Sequence, residues 1–246
     1  MYDDSPRDPL SIQIFADGAD IDELAAIAAK PHIAGFTTNP TLMRKAGIDD
    51  YRAFAHQALE VIGDRPISFE VFSDEPSKML RQGREIASWG ANVFVKVPFA
   101  TTQGASTASV VRELSLDGVQ VNVTALMTLP QVEEMTAALE GGAASNISVF
   151  AGRVADTGRD PIPLMQRALS IMTAAPTASL IWASPREVLN IVQANDIGCH
   201  IITVTHDLLA KLDGLSKPLE QFSLETVQMF HRDATAAGFA IDISEG

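Results

Sequence analysis

Eight short runs of apolar residues, rich in Val, Ile and Phe, recur along the chain, and between them lie stretches with helical periodicity. The runs are 12–16 (IQIFA), 33–36 (IAGF), 67–72 (ISFEVF), 92–97 (NVFVKV), 119–124 (VQVNVT), 145–150 (SNISVF), 179–183 (SLIWA) and 200–204 (HIITV). Most lack strict apolar/polar alternation, as strands covered on both faces do. Between them, Tyr51, Phe54, Ala55, Ala58, Leu59 and Ile62 share one helical face, and the segments beginning at Ser77, Pro130, Pro161 and Ser184 repeat the pattern. Asp20 is placed to cap the helix IDELAAIAAK, and Asn39–Pro40 reads as a cap and first turn. Glycines such as Gly63, Gly118 and Gly198 fall at or just after helix ends. Parallel strands require crossovers, which are overwhelmingly right-handed. Eight strand–helix units therefore predict an α/β protein, a closed (β/α)8 TIM barrel, in preference to an open doubly wound sheet.

No Pro/Ser-rich linker divides the chain, so one domain over 11–246 is expected after a loose tail at 1–10, with 242–246 a second loose end. An additional C-terminal helix is expected at about 216–238. Its Phe222, Leu224, Val227, Met229 and Phe230 suggest packing on the barrel or on a neighbouring copy, hence a homo-oligomer. The 31 acidic residues against 18 basic give a formal charge of −13, which argues against non-specific nucleic-acid binding. No apolar run is long enough to span a bilayer, and MYDDSPRDPL has neither the basic nor the apolar region of a secretory signal. A lone Cys199 cannot form an internal disulfide, so a cytoplasmic protein is expected.

The polar exceptions in this apolar framework cluster at the carboxyl ends of the expected strands, where barrel active sites are built. They are Asp17, the run Thr37–Thr38–Asn39, Glu70, Lys96, Asn122 with Thr124, Ser148 and Ser184. Lys96 stands among Val93, Phe94, Val95, Val97, Pro98 and Phe99. Apolar surroundings disfavour an ammonium ion, and a neutral amine is what attack on a ketone or aldehyde requires. The alternative is a structural lysine paired with Glu70 or Asp17. Those two carboxylates are candidate acid–base groups, although Asp17 also suits a helix cap and Glu70 a structural pair with Lys96 or Thr124. Asn39, Asn122, Thr124 and Ser148 could orient hydroxyl groups, or serve turns and backbone bonding. Arg153 and Arg186 follow the late strands and suit an anion, or pairing with Asp156, Asp160 or Glu187. The chain has no phosphate loop, and His32, His56, His200, His206 and His231 show no metal-ligand spacing. His200 and His206 read as structural or solvent-facing.

These residues resemble the transaldolase family, particularly the short subfamily that includes fructose-6-phosphate aldolases. The resemblance rests on IFADGAD with Asp17, GFTTNPTL with Asn39, SFEVF with Glu70, VFVKVP with Lys96, VNVTAL with Asn122 and Thr124, SVFAGR with Phe150 and Arg153, and ASPR with Ser184 and Arg186. It implies a class I aldolase-type barrel in which Lys96 forms a Schiff base with C2 of a ketose and Asp17 takes the C4-hydroxyl proton. Glu70 and Thr124 would position a water that carries protons. Asn39, Asn122 and Ser148 would bind donor hydroxyls, and Arg153, Ser184 and Arg186 the phosphate or a similar anion of the sugar. Neither a metal nor an organic cofactor is implied. Fructose-6-phosphate aldolases usually carry Gln where Glu70 stands and Tyr where Phe150 stands, so transfer of a dihydroxyacetone unit is expected over its release. The alternatives are such a releasing lyase and a transaldolase acting on a non-standard anionic sugar. Against the family pattern, Gly18 replaces a Thr, Val149 a Pro, and Pro185 an aromatic or aliphatic residue.

Overall fold

A computed structural model describes residues 9–241. Eight parallel strands close into a barrel in sequence order: β1 (Gln13–Asp17), β2 (Ile33–Thr37), β3 (Ile67–Glu70), β4 (Val93–Pro98), β5 (Val121–Leu126), β6 (Ser145–Val149), β7 (Ala178–Trp182) and β8 (Ile201–Thr205). The ring is shut by β1 on β8, with Gln13 opposite Ile201 and Asp17 opposite Thr205. The helices are α1 (Ile21–Ala28), α2 (Pro40–Lys45), α3 (Tyr51–Ile62), α4 (Pro76–Ala87), α5 (Ala108–Leu116), α6 (Leu129–Leu139), α7 (Ala151–Ala155), α8 (Ile162–Met172), α9 (Val188–Asp196) and α10 (His206–Leu209). The expected barrel is the observed one.

Strand ends differ from the apolar runs by one or two residues, and at the start of β5 the reason lies in the preceding helix exit. Val119 belongs to the run VQVNVT, yet its N–H turns back to Leu114 O at 3.0 Å to close α5, so β5 begins only at Val121. Cys199, just outside the run HIITV, closes α9 by donating to Ala194 O at 2.9 Å, and β8 starts at Ile201. The expected caps form: Asp20 accepts from Glu23 N at 2.9 Å, and Asn39 from Leu42 N at 3.0 Å.

Helices bury one face on the outside of the strands, as Leu24 and Ile27 of α1, Phe54 and Ile62 of α3 and Met79 of α4 show. Each such side chain contributes about 1.5–3 kcal/mol of burial. Inside the barrel, Phe15, Ile181, Ala183 and Ile201 form a floor. Gly35 makes room for it, because a Cβ there would lie 2.6 Å from the Phe15 ring. Alternate residues of a strand share a face, so Asp17 stands above Phe15, Glu70 above Ser68 and Thr124 above Asn122. The polar layer therefore lies at the carboxyl-end mouth, and the apolar floor beneath it.

The barrel occupies a compact unit, Leu10–Ala210, and a second unit contains Lys211 onward. The latter holds a short 3-10 turn (Leu212–Gly214) and α11 (Leu219–Ala236), within the expected 216–238. Pro218 precedes α11, Lys217 pairs with Glu225, and the Lys217 ammonium lies 5.3 Å from the centre of the Phe222 ring. The tail expected to be loose falls, over 1–8, outside the described residues, as does 242–246. Among the described residues no helix is long and apolar enough to cross a membrane.

Candidate active site

The mouth of the barrel opens into a cavity of about 520 Å³. Of the residues singled out from sequence, Asp17, Asn39, Glu70, Lys96, Thr124, Ser148, Phe150, Arg153, Ser184 and Arg186 line it. Asn122 does not. Its amide is buried beneath, donating to Ser68 Oγ at 2.9 Å and accepting from Ser148 Oγ at 2.7 Å. Both ends of that side chain are thus used, one across the barrel interior to β3 and the other to β6, so Asn122 reaches the cavity only through Ser148.

Lys96 lies on β4 with only 7% of its surface exposed. Register places it between Glu70 of β3 and Asn122 of β5. Its Nζ donates to Thr38 O at 2.9 Å and stands 3.8 Å from Glu70 Oε2. A carbonyl acceptor serves an amine and an ammonium alike. Glu70 is held from behind: its N–H donates to the Tyr51 hydroxyl at 2.7 Å, and that hydroxyl lies 3.1 Å from Glu70 O. Tyr51 is itself fixed among the rings of Phe69, Phe72 and Trp89, and burial pushes its hydroxyl well above the ordinary phenol range. It therefore remains a neutral donor.

Asp17 receives the Thr37 hydroxyl at 2.8 Å on one oxygen and Asn39 Nδ2 at 3.3 Å on the other. Thr203 lies 2.5 Å beyond, oxygen to oxygen from Thr37. Because Thr37 spends its proton on the carboxylate, Thr203 is the donor to Thr37 while Asp17 is ionised. Burial raises the Asp17 carboxyl above its ordinary range, opposed first by Lys96 and then by Thr37, Asn39 and His206. Glu70 is raised by burial as well, with Lys96 opposing and the Asp17 charge adding to the rise. Thr124 Oγ1 is buried with no hydrogen-bond partner, so the bond to Glu70 that the sequence allows is not made. The lone hydroxyl and the two carboxyls leave proton-carrying groups around one amine.

The far side of the mouth is cationic. Arg186 grips Asp156 with two bonds, Nε to Oδ1 at 2.8 Å and Nη2 to Oδ2 at 2.5 Å, and gives Nη1 to Ser184 Oγ at 3.1 Å. Hydrogen bonding to Arg186 holds the Asp156 carboxyl below its ordinary range. Arg153 lies over Phe150, its Cζ 5.4 Å from the ring centre. Two residues of this wall have left-handed backbones without being glycine: Ala125 at φ 67° and Ser184 at φ 62°. Such strain gathers at functional sites. Gly152 permits the second, for a Cβ there would stand 1.5 Å from Ser184 O.

Sequence reasoning did not single out Thr203 or Lys45, which also line the cavity, or Tyr51, which supports it. Thr203 and Lys45 carried no unusual signal, and Tyr51 read as one more apolar position on a helix. Among the described residues no group of three or more His, Cys, Asp or Glu is placed to hold a metal ion.

Residues 14–243 match the model of the family described as transaldolase/fructose-6-phosphate aldolase. A protein of Dehalococcoides mccartyi named probable transaldolase is 35% identical over 202 residues, covering 82% of this chain and 90% of that one. Another probable transaldolase, from Roseiflexus castenholzii, is 36% identical over 215 residues, 87% of this chain and 94% of its own. Among solved structures, an HpcH/Hpal aldolase/citrate lyase family protein from Burkholderia cenocepacia superposes with a TM-score of 0.56 at 16% identity, covering 90% of this chain and 95% of that one, which is a likeness of fold. A barrel of this build, with near-complete matches to proteins of one kind, belongs to the transaldolase/fructose-6-phosphate aldolase family.

Proposed function

We propose that the chain is a class I transaldolase that moves a dihydroxyacetone unit from a ketose phosphate to an aldose phosphate through a Schiff base on Lys96. The observation that carries this reading is the Lys96 amine, buried 3.8 Å from Glu70 and lining the same cavity as Asp17. Neutral Nζ adds to C2 of the ketose, and loss of the C2 oxygen as water leaves the iminium. Asp17 takes the C4-hydroxyl proton, the C3–C4 pair flows into the iminium, and an aldehyde departs. The enamine that remains adds to the acceptor aldehyde, Asp17 returns its proton, and water releases the new ketose. Glu70 and the unpartnered Thr124 hydroxyl would exchange protons with the water lost and regained. Asn39 and Ser148 would hold donor hydroxyls, with Asn122 acting through Ser148. Arg153, Arg186 and Ser184 would face the terminal anion, Asp156 orienting the Arg186 fork.

Borohydride added with fructose 6-phosphate should leave a mass adduct on Lys96. Lys96→Ala should lose the adduct and roughly three or more orders of magnitude in turnover, as removal of a covalent nucleophile does. A wild-type enzyme that turns the sugar over without a trappable adduct would refute the Schiff base. Supplying erythrose 4-phosphate separates transfer from cleavage: transfer depends on it, whereas release of free dihydroxyacetone at the full rate in its absence assigns a lyase.

A further inference from the structure

Where a side chain on Gly18 would stand, the ring of His206 stands instead. Asp17 and Thr205 are register partners on β1 and β8, so the residues that follow them, Gly18 and His206, meet as the chain leaves the barrel. A Cβ on Gly18 would lie 2.8 Å from His206 Nε2 and 3.0 Å from its Cε1. The opposite edge of the ring is tied down, because Nδ1 pairs with Glu23 in the first turn of α1. His206 Nε2 is buried and has no hydrogen-bond partner. Around the imidazole, a cavity of about 480 Å³ brings together Asp17 from β1, Asp20 and Glu23 from the start of α1, Lys45 from α2 and Asp207 from α10. Asp17, Leu42 and Lys45 are common to this cavity and the larger one.

We propose that His206, tied to Glu23 and bearing on Gly18, is a positioning residue that sets the place and the ionisation of the Asp17 carboxylate. The inference rests on the Schiff-base reading above, in which Asp17 takes and returns the C4-hydroxyl proton. Three of the groups facing the ring are carboxylates besides Asp17, and Lys45 is the one cation among them. His206 adds to Lys96, Thr37 and Asn39 in favouring the Asp17 anion, against the burial that raises its carboxyl. Gly18 is what allows the ring to come so close: any side chain there would push it off and break its pair with Glu23.

The test is the pH profile of transfer from fructose 6-phosphate to erythrose 4-phosphate in wild type, His206→Ala, His206→Asn and Gly18→Ala. Loss of the imidazole removes one of the influences that favour the anion, so the acidic limb of kcat/KM should move to higher pH. At the plateau, kcat should fall several-fold in His206→Ala with KM changing less than about twofold, the split expected when a transition-state contact is lost. His206→Asn keeps a donor for Glu23 without a charge, so it should recover plateau kcat and keep the displaced limb. Gly18→Ala should shift the limb likewise in wild type and add almost nothing in His206→Ala, since contacting residues are non-additive. An unmoved limb in both His206 variants, or a Gly18→Ala effect undiminished in His206→Ala, overturns the proposal. Borohydride trapping on each variant separates the two readings. If trapping is intact and the limb does not move, the role of His206 alone fails; if wild type itself traps no adduct, the Schiff-base reading fails and this inference with it.

Discussion

At the scale of single residues, the cavity holds two carboxyls in surroundings that favour their protonated forms, and this has a consequence for stability. Burial raises the Glu70 carboxyl above its ordinary 4.5. A group whose folded value is raised holds its proton more tightly in the folded chain, so its contribution is favourable below the ordinary value and is lost as pH rises through the folded one. At neutral pH the burial of the Glu70 carboxyl therefore costs stability. Glu70→Gln should raise the melting temperature at pH 7 to 8, with the gain shrinking as pH falls through the raised folded value and gone below about 4.5, while transfer activity drops. Thermal scans at several pH values check this, and a gain that grew on acidification would contradict it. The same trade is expected of functional carboxylates in general, which are retained for chemistry at the expense of the fold.

At the scale of elements, the wall that carries Arg153, Ser184 and Arg186 depends on one close approach between the start of α7 and the turn after β7. Gly152 lets Ser184 O approach to where a Cβ would stand only 1.5 Å from it, and backbone cannot yield as a flexible side-chain tip does. Gly152→Ala should cost about 3 kcal/mol, read as a lower urea midpoint at unchanged slope, and should raise KM for phosphorylated sugars by displacing Ser184 and Arg186. A phosphate-free ketose should show a smaller KM change. The elements themselves were legible in sequence because their periodicities are local: helix caps at Asp20 and Asn39, and the strands by their apolar runs. The start of β5 was not, because Val119 completes a hydrogen bond left by the helix before it. Asn39 illustrates how two readings can both hold. Its Oδ1 caps α2 while its Nδ2 reaches Asp17.

For the whole molecule, assembly is the open consequence of α11. Leu219, Phe222, Val227, Met229 and Phe230 are each more than 40% exposed, and spacings of three, seven and eight residues put most of them on one face. We infer that a second copy of the chain covers this face, because monomeric proteins seldom leave so contiguous an apolar stripe in water. Light scattering should give a mass above that of one 26.3 kDa chain, and Phe222→Glu with Phe230→Glu should lower it. A wild-type protein that runs as a monomer removes the inference.

The alternation of strand and helix was enough to favour a barrel over an open sheet, since eight parallel strands joined by right-handed crossovers fit one in this length, and the pairing of β1 with β8 closes it. It was also enough to put Lys96, Asp17 and Glu70 at one mouth, because they end or nearly end their strands. Which partner each polar group takes was decided only in three dimensions. Asn122 turned to Ser68 and Ser148, Arg186 to Asp156, and His206 into the space beside Gly18. Those pairings join residues 2 to 188 positions apart in chain order when the short Ser184–Arg186 contact is included, and they hang on register and on distances of a few tenths of an ångström. Residue type and spacing along a chain carry no such information; the packing of neighbouring strands supplies it.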